Sequence, residues 1–335
     1  MSAVINVAVL GATTLVGEAV LAHLAAADVV LGQVYLLALD AAADSEVRFK
    51  QQDKPVLAAD GFDFTQVNVA IFAAGAEAAA HYAPIAVAAG CTVIDTSPQF
   101  RQNADVPLVV VGVNESVLTS TKSKIIASPC AVSMHLALSL KSIVSEFGLL
   151  SVTVATYQSV SGSGKAGVDE LAEQTQAIFN LNETENNVYP KRISFNILPQ
   201  VGDLMDNGYS MEEIKLVEET RKILSVPELA INPTAVRVPV FYGHGQAVHI
   251  HTSKPVSVGL ATALWQQQAG LILVADEDGA PTAVDAVGCD EIFIGRVRTA
   301  IGSASGLNYW LVADNIHAGP ALNSVRIVRL LGELL

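Results

Sequence analysis

The chain has 335 residues, more than one ordinary core accommodates, so two domains are expected. Hydrophobic residues make up 51% of it and Asp, Glu, Lys and Arg only 16%, which excludes a disordered chain and suits an α/β protein with buried parallel strands. The net charge of −14 argues against non-specific binding to nucleic acid or to an anionic membrane, so any phosphate site must rest on a few local cations and backbone N–H groups.

Residues 4–10 predict a buried strand, 11–17 a glycine turn and 18–26 a helix; 34–39 is a second apolar strand, ending at Asp40. Strand, turn, helix and strand make one βαβ unit, whose right-handed crossover sets its strands parallel. Further strands at 67–73, 92–95, 108–111 and 124–127, with a helix over 77–89, complete a doubly wound sheet. The last of these strands runs into Ser128-Pro129-Cys130, and a helix follows to about 147. Residues 152–157 alternate as a strand with one wet face. A Gly-rich turn at 161–165, a helix over 167–179 and a polar surface excursion over 180–189 come next. A charged amphipathic helix is expected over 211–224, strands over 235–242, 247–252, 292–297 and 309–312, and a terminal helix over 315–335. Strand patterns change from parallel-type runs to alternation near Cys130. The fold class is therefore α/β, with a doubly wound Rossmann-type dinucleotide-binding domain over 1–129 and an α+β domain over 130–314.

Cys91, Cys130 and Cys289 are odd in number and far apart, which suggests neither a disulfide framework nor a metal pair. The first residues run directly into a strand pattern, and no apolar run has the length of a membrane span. A soluble cytoplasmic protein is the expectation.

Cys130 stands at a strand-to-helix turn, where unpaired N–H groups and the helix dipole stabilise a thiolate. A thiolate there is a nucleophile for an activated acyl carbon; the plainer reading is a small residue plugging the sheet. The turn GxxTxxG from Gly11 to Gly17 follows the first strand, as a pyrophosphate-binding turn does. Asp40 closes the second strand, where an acid accepts from ribose hydroxyls and repels a 2′-phosphate, or is simply a solvated loop acid. Arg101 lies just past a strand's C-terminal end, a place for a phosphate or carboxylate partner. Arg237 is embedded in an apolar strand and is expected to meet an anion; His244 follows a glycine and suits acid/base work. Glu219 and Lys222 share a helix face, as an exposed ion pair or as ligand groups. His81, His135, His249, His251 and His317 read as structural or surface residues.

The segments GATTLVG, DTSPQFR, the Cys130 turn, TYQSVSGSGKAGVDEL, FNILPQ, DNGYSMEEIKLVEETRKI, VRVPVFYGH and ADNIHAG, in this order, resemble the aspartate-β-semialdehyde dehydrogenase family over nearly the whole chain. The resemblance implies an oxidoreductase that converts β-aspartyl phosphate to L-aspartate-β-semialdehyde through a cysteine thioester, in the synthesis of lysine, methionine and threonine. It implies Cys130 as nucleophile, Gln158 as the residue orienting the acyl group and His244 as acid/base. Arg237 would grip the substrate carboxylate, Glu219 its amino group, and Arg101 and Lys222 the phosphate. Gly11, Thr13, Thr14, Val16, Ser161, Gly162 and Asn315 would approach the cofactor, NADP or alternatively NAD. A homodimer is implied, built on the second domain, with the 315–335 helix completing the first. No metal, nucleic acid or membrane partner is expected.

The sequence departs from the family pattern in three places. Ser128-Pro129-Cys130 replaces a stretch that carries Asn before the thiol. Leu39 and Ala41 stand where the family's 2′-phosphate pocket carries Ser and Arg, and Val111-Gly112 where it reads Pro-Glu. Usg-type paralogues share the Ser-Pro-Cys form, so a catalytically weak paralogue binding a nucleotide or protein partner is the alternative. Another acyl-phosphate reductase ranks last, because its Gly-Cys-Tyr-Pro pattern is absent.

Overall fold

The computed structural model describes residues 4–39 and 45–334. In chain order the elements are β1 (Ile5–Leu10), α1 (Leu15–Ala26), β2 (Leu31–Ala38), β3 (Glu46–Phe49), β4 (Gln52–Ala58), β5 (Val69–Phe72), α2 (Ala76–Ala88), β6 (Thr92–Asp95), β7 (Ile125–Ala127), α3 (Ala131–Phe147), β8 (Leu149–Gln158), α4 (Gly164–Phe179), α5 (Met211–Leu224), β9 (Ala230–Arg237), β10 (His244–Thr252), α6 (Val258–Gln267), β11 (Leu271–Leu273), α7 (Ala283–Ala286), β12 (Ile292–Thr299), β13 (Gly306–Ala313) and α8 (Leu322–Leu334). They form two compact units, Met1–Cys130 with Gly319–Leu335, and Ala131–Ala318. Among the described residues no helix is long and apolar enough to cross a membrane.

The first unit holds a sheet in the order β3-β4-β2-β1-β5-β6-β7, parallel except for the β3–β4 hairpin. β1 and β5 are almost wholly buried, which is why they read as continuous apolar runs. The chain winds outward from β1 in both directions, so the crevice of a doubly wound sheet lies at the C-terminal ends of β1 and β5. One core cluster is built on the alanine face of α2 (Ala78, Ala79, Ala83 and Ala86), which lets the helix come close to Phe64, Phe72 and Val93. Cys91 belongs to this core: its thiol donates to Phe64 O and Val67 O at 3.1 and 3.0 Å, and burial pushes its pKa up to about 11.

The run 108–111 is not a strand of the sheet. Leu108 forms an isolated bridge to Ala127, and the ladder goes no further. Two asparagines take the next backbone groups instead: Val110 N donates to Asn114 Oδ1 and Val111 N to Asn323 Oδ1, while their amides donate to Leu108 O and Val109 O. The β3–β4 hairpin was not legible, because its strands are short, largely polar and at the sheet edge.

The second unit holds a mixed sheet in the order β11-β12-β13-β10-β8-β9. Its core includes Trp265 and Tyr309, with ring centroids 4.9 Å apart, and both polar tips are satisfied by Ser139: the indole N–H donates to its carbonyl, and the phenol pairs with its hydroxyl. The strand expected over 235–242 begins earlier, at Ala230, and ends at Arg237, because Val238-Pro239 turns back on itself through Val240 N to Val238 O. Pro233 is tolerated because β9 is the sheet edge. The terminal helix starts at Leu322 rather than 315; His317–Ala321 is a wide turn that loses helical geometry at Gly319, just before Pro320.

Candidate active site

In the first unit the glycine turn is built for close backbone approach. Gly11 has φ +86°, and a Cβ on it would meet the Ala73 carbonyl carbon and oxygen at 2.7 Å; one on Gly17 would collide with Gly11 O. Thr14 caps α1: its hydroxyl accepts from Gly17 N at 3.0 Å and reaches Gly11 O and Ala73 O. That hydroxyl is therefore committed to the turn itself. Leu15 and Val16 open α1, and first-turn N–H groups have no partner within their own helix; Thr13 is exposed beside them. Bare backbone and a capped helix start fit a dinucleotide pyrophosphate. Asp40, the candidate ribose ligand, lies outside the described residues, as does Ala41. Leu39, next to it, is exposed.

Arg101 is buried, and its Nη2 donates to Thr96 O at 2.6 Å. Asp95 is also buried and accepts from Ser97 N and Oγ; burial raises its pKa to about 6 against the pull of Ser97 and the Arg101 charge. Cys130 is half-buried and immediately precedes α3.

In the second unit the end of β8, the following turn, the start of β10 and the residues after β13 converge. His244 is the first residue of β10, not part of a turn, and is 4% exposed. Its Nδ1 accepts from Ser159 N at 3.1 Å and lies 3.0 Å from Ser159 Oγ, which places the ring's own proton on Nε2. Asn315 ties the same turn together: its Oδ1 accepts from Gly243 N at 2.9 Å and from Ser159 Oγ and Ser161 Oγ at 3.1 Å. Arg237 closes β9, and its Nη1 donates to Ser159 O at 2.7 Å. Gly162 is exposed, and a Cβ there would stand 2.7 Å from Arg237 Nη1 and 3.3 Å from His244 Nε2. Both side chains are thus reached across bare backbone.

The electrostatics follow from burial. His244 is held well below the ordinary imidazole range, first by desolvation and then by the charge of Arg237 and by His135. It is a neutral base at neutral pH. Burial lowers the Arg237 pKa, while Tyr189 and Glu212 favour its charge. Gln158 is buried at the end of β8, and its amide donates to Thr156 Oγ1 and Glu212 Oε1 at 3.3 and 3.4 Å.

Glu219 is fully buried in α5 and Lys222, in its last turn, is half-buried with its pKa lowered by burial, so an exposed ion pair is not what they form. The carboxylate brought to Gln158 is that of Glu212, which the sequence reading passed over. Its signal was present: Glu212 precedes Glu219 by seven residues, two helical turns on the same face. Ser210 and Glu213 form a capping box at the start of α5, and Glu213 also accepts from Ala235 N, tying α5 to β9.

His135 is structural and completely buried; its Nε2 contacts Ala318 O at 3.1 Å, and burial drives its pKa down to about 4. The unfolded imidazole titrates near 6.5, so the folded state binds this proton less readily, and the stability His135 confers is lost as pH falls from about 6.5 through 4. That window is worth on the order of 3 kcal/mol. The raised Asp95 acts in the opposite direction over a similar range. The contribution of His135 is therefore read by difference: wild type should lose melting temperature between about pH 7 and 4.5 more steeply than His135→Gln. Equal slopes would contradict it.

Comparison with known proteins follows the same division of the chain. Residues 6–121 match the family described as semialdehyde dehydrogenase, NAD binding domain, and residues 140–318 match semialdehyde dehydrogenase, dimerisation domain. The chain is 42% identical over 332 residues to aspartate-semialdehyde dehydrogenase 2 of Vibrio cholerae, covering 99% of this chain and 98% of that protein. It is 43% identical over 335 residues to aspartate-semialdehyde dehydrogenase of Legionella pneumophila, covering 99% and 96%. The structure resembles that of Vibrio cholerae aspartate semialdehyde dehydrogenase II complexed with ASA, with a TM-score of 0.96, 42% identity and 99% of each chain covered. The Candida albicans enzyme with NADP, at 20% identity, TM-score 0.77 and coverage of 99% and 100%, shares the fold.

Proposed function

Since the chain belongs to the aspartate-semialdehyde dehydrogenase family, we propose that it reductively dephosphorylates β-aspartyl phosphate to L-aspartate-β-semialdehyde through a thioester on Cys130. The observation that carries the reading is the neutral, buried His244 beside Arg237 across the bare backbone of Gly162, in a chain similar to these enzymes along its whole length.

A nicotinamide dinucleotide is the cofactor. The proposed form is NADP, with NAD as the other possibility; Gly11, Thr13 and Val16 would line its pyrophosphate, and Ser161, Gly162 and Asn315 its reactive end. When bound, the dinucleotide supplies the hydride that takes the acyl group to the aldehyde level. The remaining chemistry belongs to the protein. The Cys130 thiolate attacks the acyl carbon, a C–S bond forms, the C–O bond to phosphorus breaks and phosphate leaves. His244, the proposed acid/base, would donate from Nε2–H to the substrate oxygen that gains charge as the sulfur attacks and take that proton back as the sulfur is released. Arg237 holds the substrate carboxylate, Glu219 its amino group, Arg101 and Lys222 the phosphate, and Gln158 orients the acyl group. The dimerisation domain supports assembly as an oligomer, proposed to be a homodimer.

The direct test mixes purified protein with aspartate semialdehyde, inorganic phosphate and either NADP or NAD. Phosphate-dependent reduction of NADP is expected, faster than of NAD. No reduction of either would overturn the proposal.

A further inference from the structure

The excursion after α4 returns to the second unit through a buried carboxylate. Glu170, in the second turn of α4, is 3% exposed, and its oxygens accept from Asn187 N at 2.8 Å, from Val188 N and from Tyr189 N. Gln174, one turn on and 2% exposed, takes Ile193 N and Ser194 N on its oxygen and donates to Glu170, Glu185 O and Asn186. Two side chains on one helix face thus fix the path of 185–194. What they deliver is Tyr189, whose hydroxyl meets Ser163 Oγ at 3.0 Å and Val160 O at 3.4 Å.

The turn around that hydroxyl is arranged to receive it. Ser163 occupies the N-cap position of α4, yet its side chain caps no helix N–H. A serine there ordinarily bonds the helix start; this one bonds Tyr189. Gly167 leaves the space: a Cβ on it would lie 2.8 Å from the Tyr189 oxygen and 2.6 Å from Val160 O. Ser163 directly follows Gly162, the exposed residue whose bare backbone lies against Arg237 and His244, and Ser161 stands on the other side of that glycine.

We infer that Tyr189, held by Glu170 and Gln174, is a positioning residue that fixes the Ser161–Ser163 turn against the dinucleotide's reactive end. The inference rests on the reading of Ser161 and Gly162 as cofactor-binding. Tyr189 touches no reacting atom; it acts through the turn.

The test is titration of NADPH into the full chain by fluorescence, with wild type, Tyr189→Phe, Ser163→Ala and the double variant, alongside steady-state kinetics. Loss of one hydrogen bond predicts about fivefold weaker NADPH binding for Tyr189→Phe, a matching rise in KM for NADP, and a melting temperature within a few degrees of wild type. The double variant should bind no more weakly than either single one, because both remove the same bond. Equal NADPH binding by Tyr189→Phe and wild type, or fully additive losses in the double variant, would overturn the inference. Absence of NADPH binding by wild type would instead overturn the cofactor reading on which it rests.

Discussion

Cys130→Ala is expected to lower turnover on the order of 10³-fold or more while leaving the fold intact. Loss of a covalent nucleophile removes the whole two-step path rather than one contact within it. Stability should change little, because the side chain is only half-buried and the substitution removes one sulfur atom. Two measurements decide the matter. Wild-type protein incubated with aspartate semialdehyde and NADP, without phosphate, should accumulate an acyl adduct that mass spectrometry places on Cys130. The variant should show no adduct and unchanged melting temperature. Retention of substantial activity by Cys130→Ala would remove the thiol from the mechanism, and Cys91 could not replace it, being a core thiol with its pKa raised to about 11.

His244→Gln should cost between about 10² and 10⁴ in kcat/KM, the range for removal of a general acid/base. The pH profile adds a sharper signature. Burial and the Arg237 cation hold the imidazole neutral well below its ordinary range, so wild-type kcat/KM should have no acid limb from His244 near pH 6.5. Arg237→Leu removes a neighbouring positive charge, which makes protonation of His244 easier. Its pKa rises, and the acid limb moves to higher pH whatever the loss in absolute rate. An Arg237→Leu profile with the limb unmoved would mean that the guanidinium does not act on His244, despite their shared approach across Gly162.

The sheet of the first unit was largely legible because buried parallel strands are written as apolar runs, and the Gly11 turn gave away its first crossover. The run at 108–111 misled for the same reason: it is apolar, but Asn114 and Asn323 satisfy its backbone, and a partner more than 200 residues away leaves no mark in a local window. At the candidate site, Arg237 and His244 stood out by residue type in an apolar setting. Ser159, which holds both through its backbone and hydroxyl, did not, because nothing distinguishes it from its neighbours Ser161 and Ser163. Glu170 and Tyr189 were hidden for another reason: a buried carboxylate in a helix looks in sequence like any solvated one, and its ligands are backbone amides without residue identity.

The first unit is closed by α8, and this bears on the order in which the protein is made. Asn323 donates to Val109 O and Ser128 Oγ and accepts from Val111 N, and Gly332 is so close to Ile5 that a Cβ on it would lie 2.7 Å from that side chain. On a translating ribosome, every residue of Ala131–Ala318 exists before Gly319–Leu335 is synthesised. The inserted unit can mature vectorially, whereas the unit begun first must wait with the docking groove for α8 uncovered until synthesis reaches it. A nascent chain stalled before Asn323 would leave Val109 O, Val111 N and Ser128 Oγ without these partners and the surface under α8 open to chaperones and proteases.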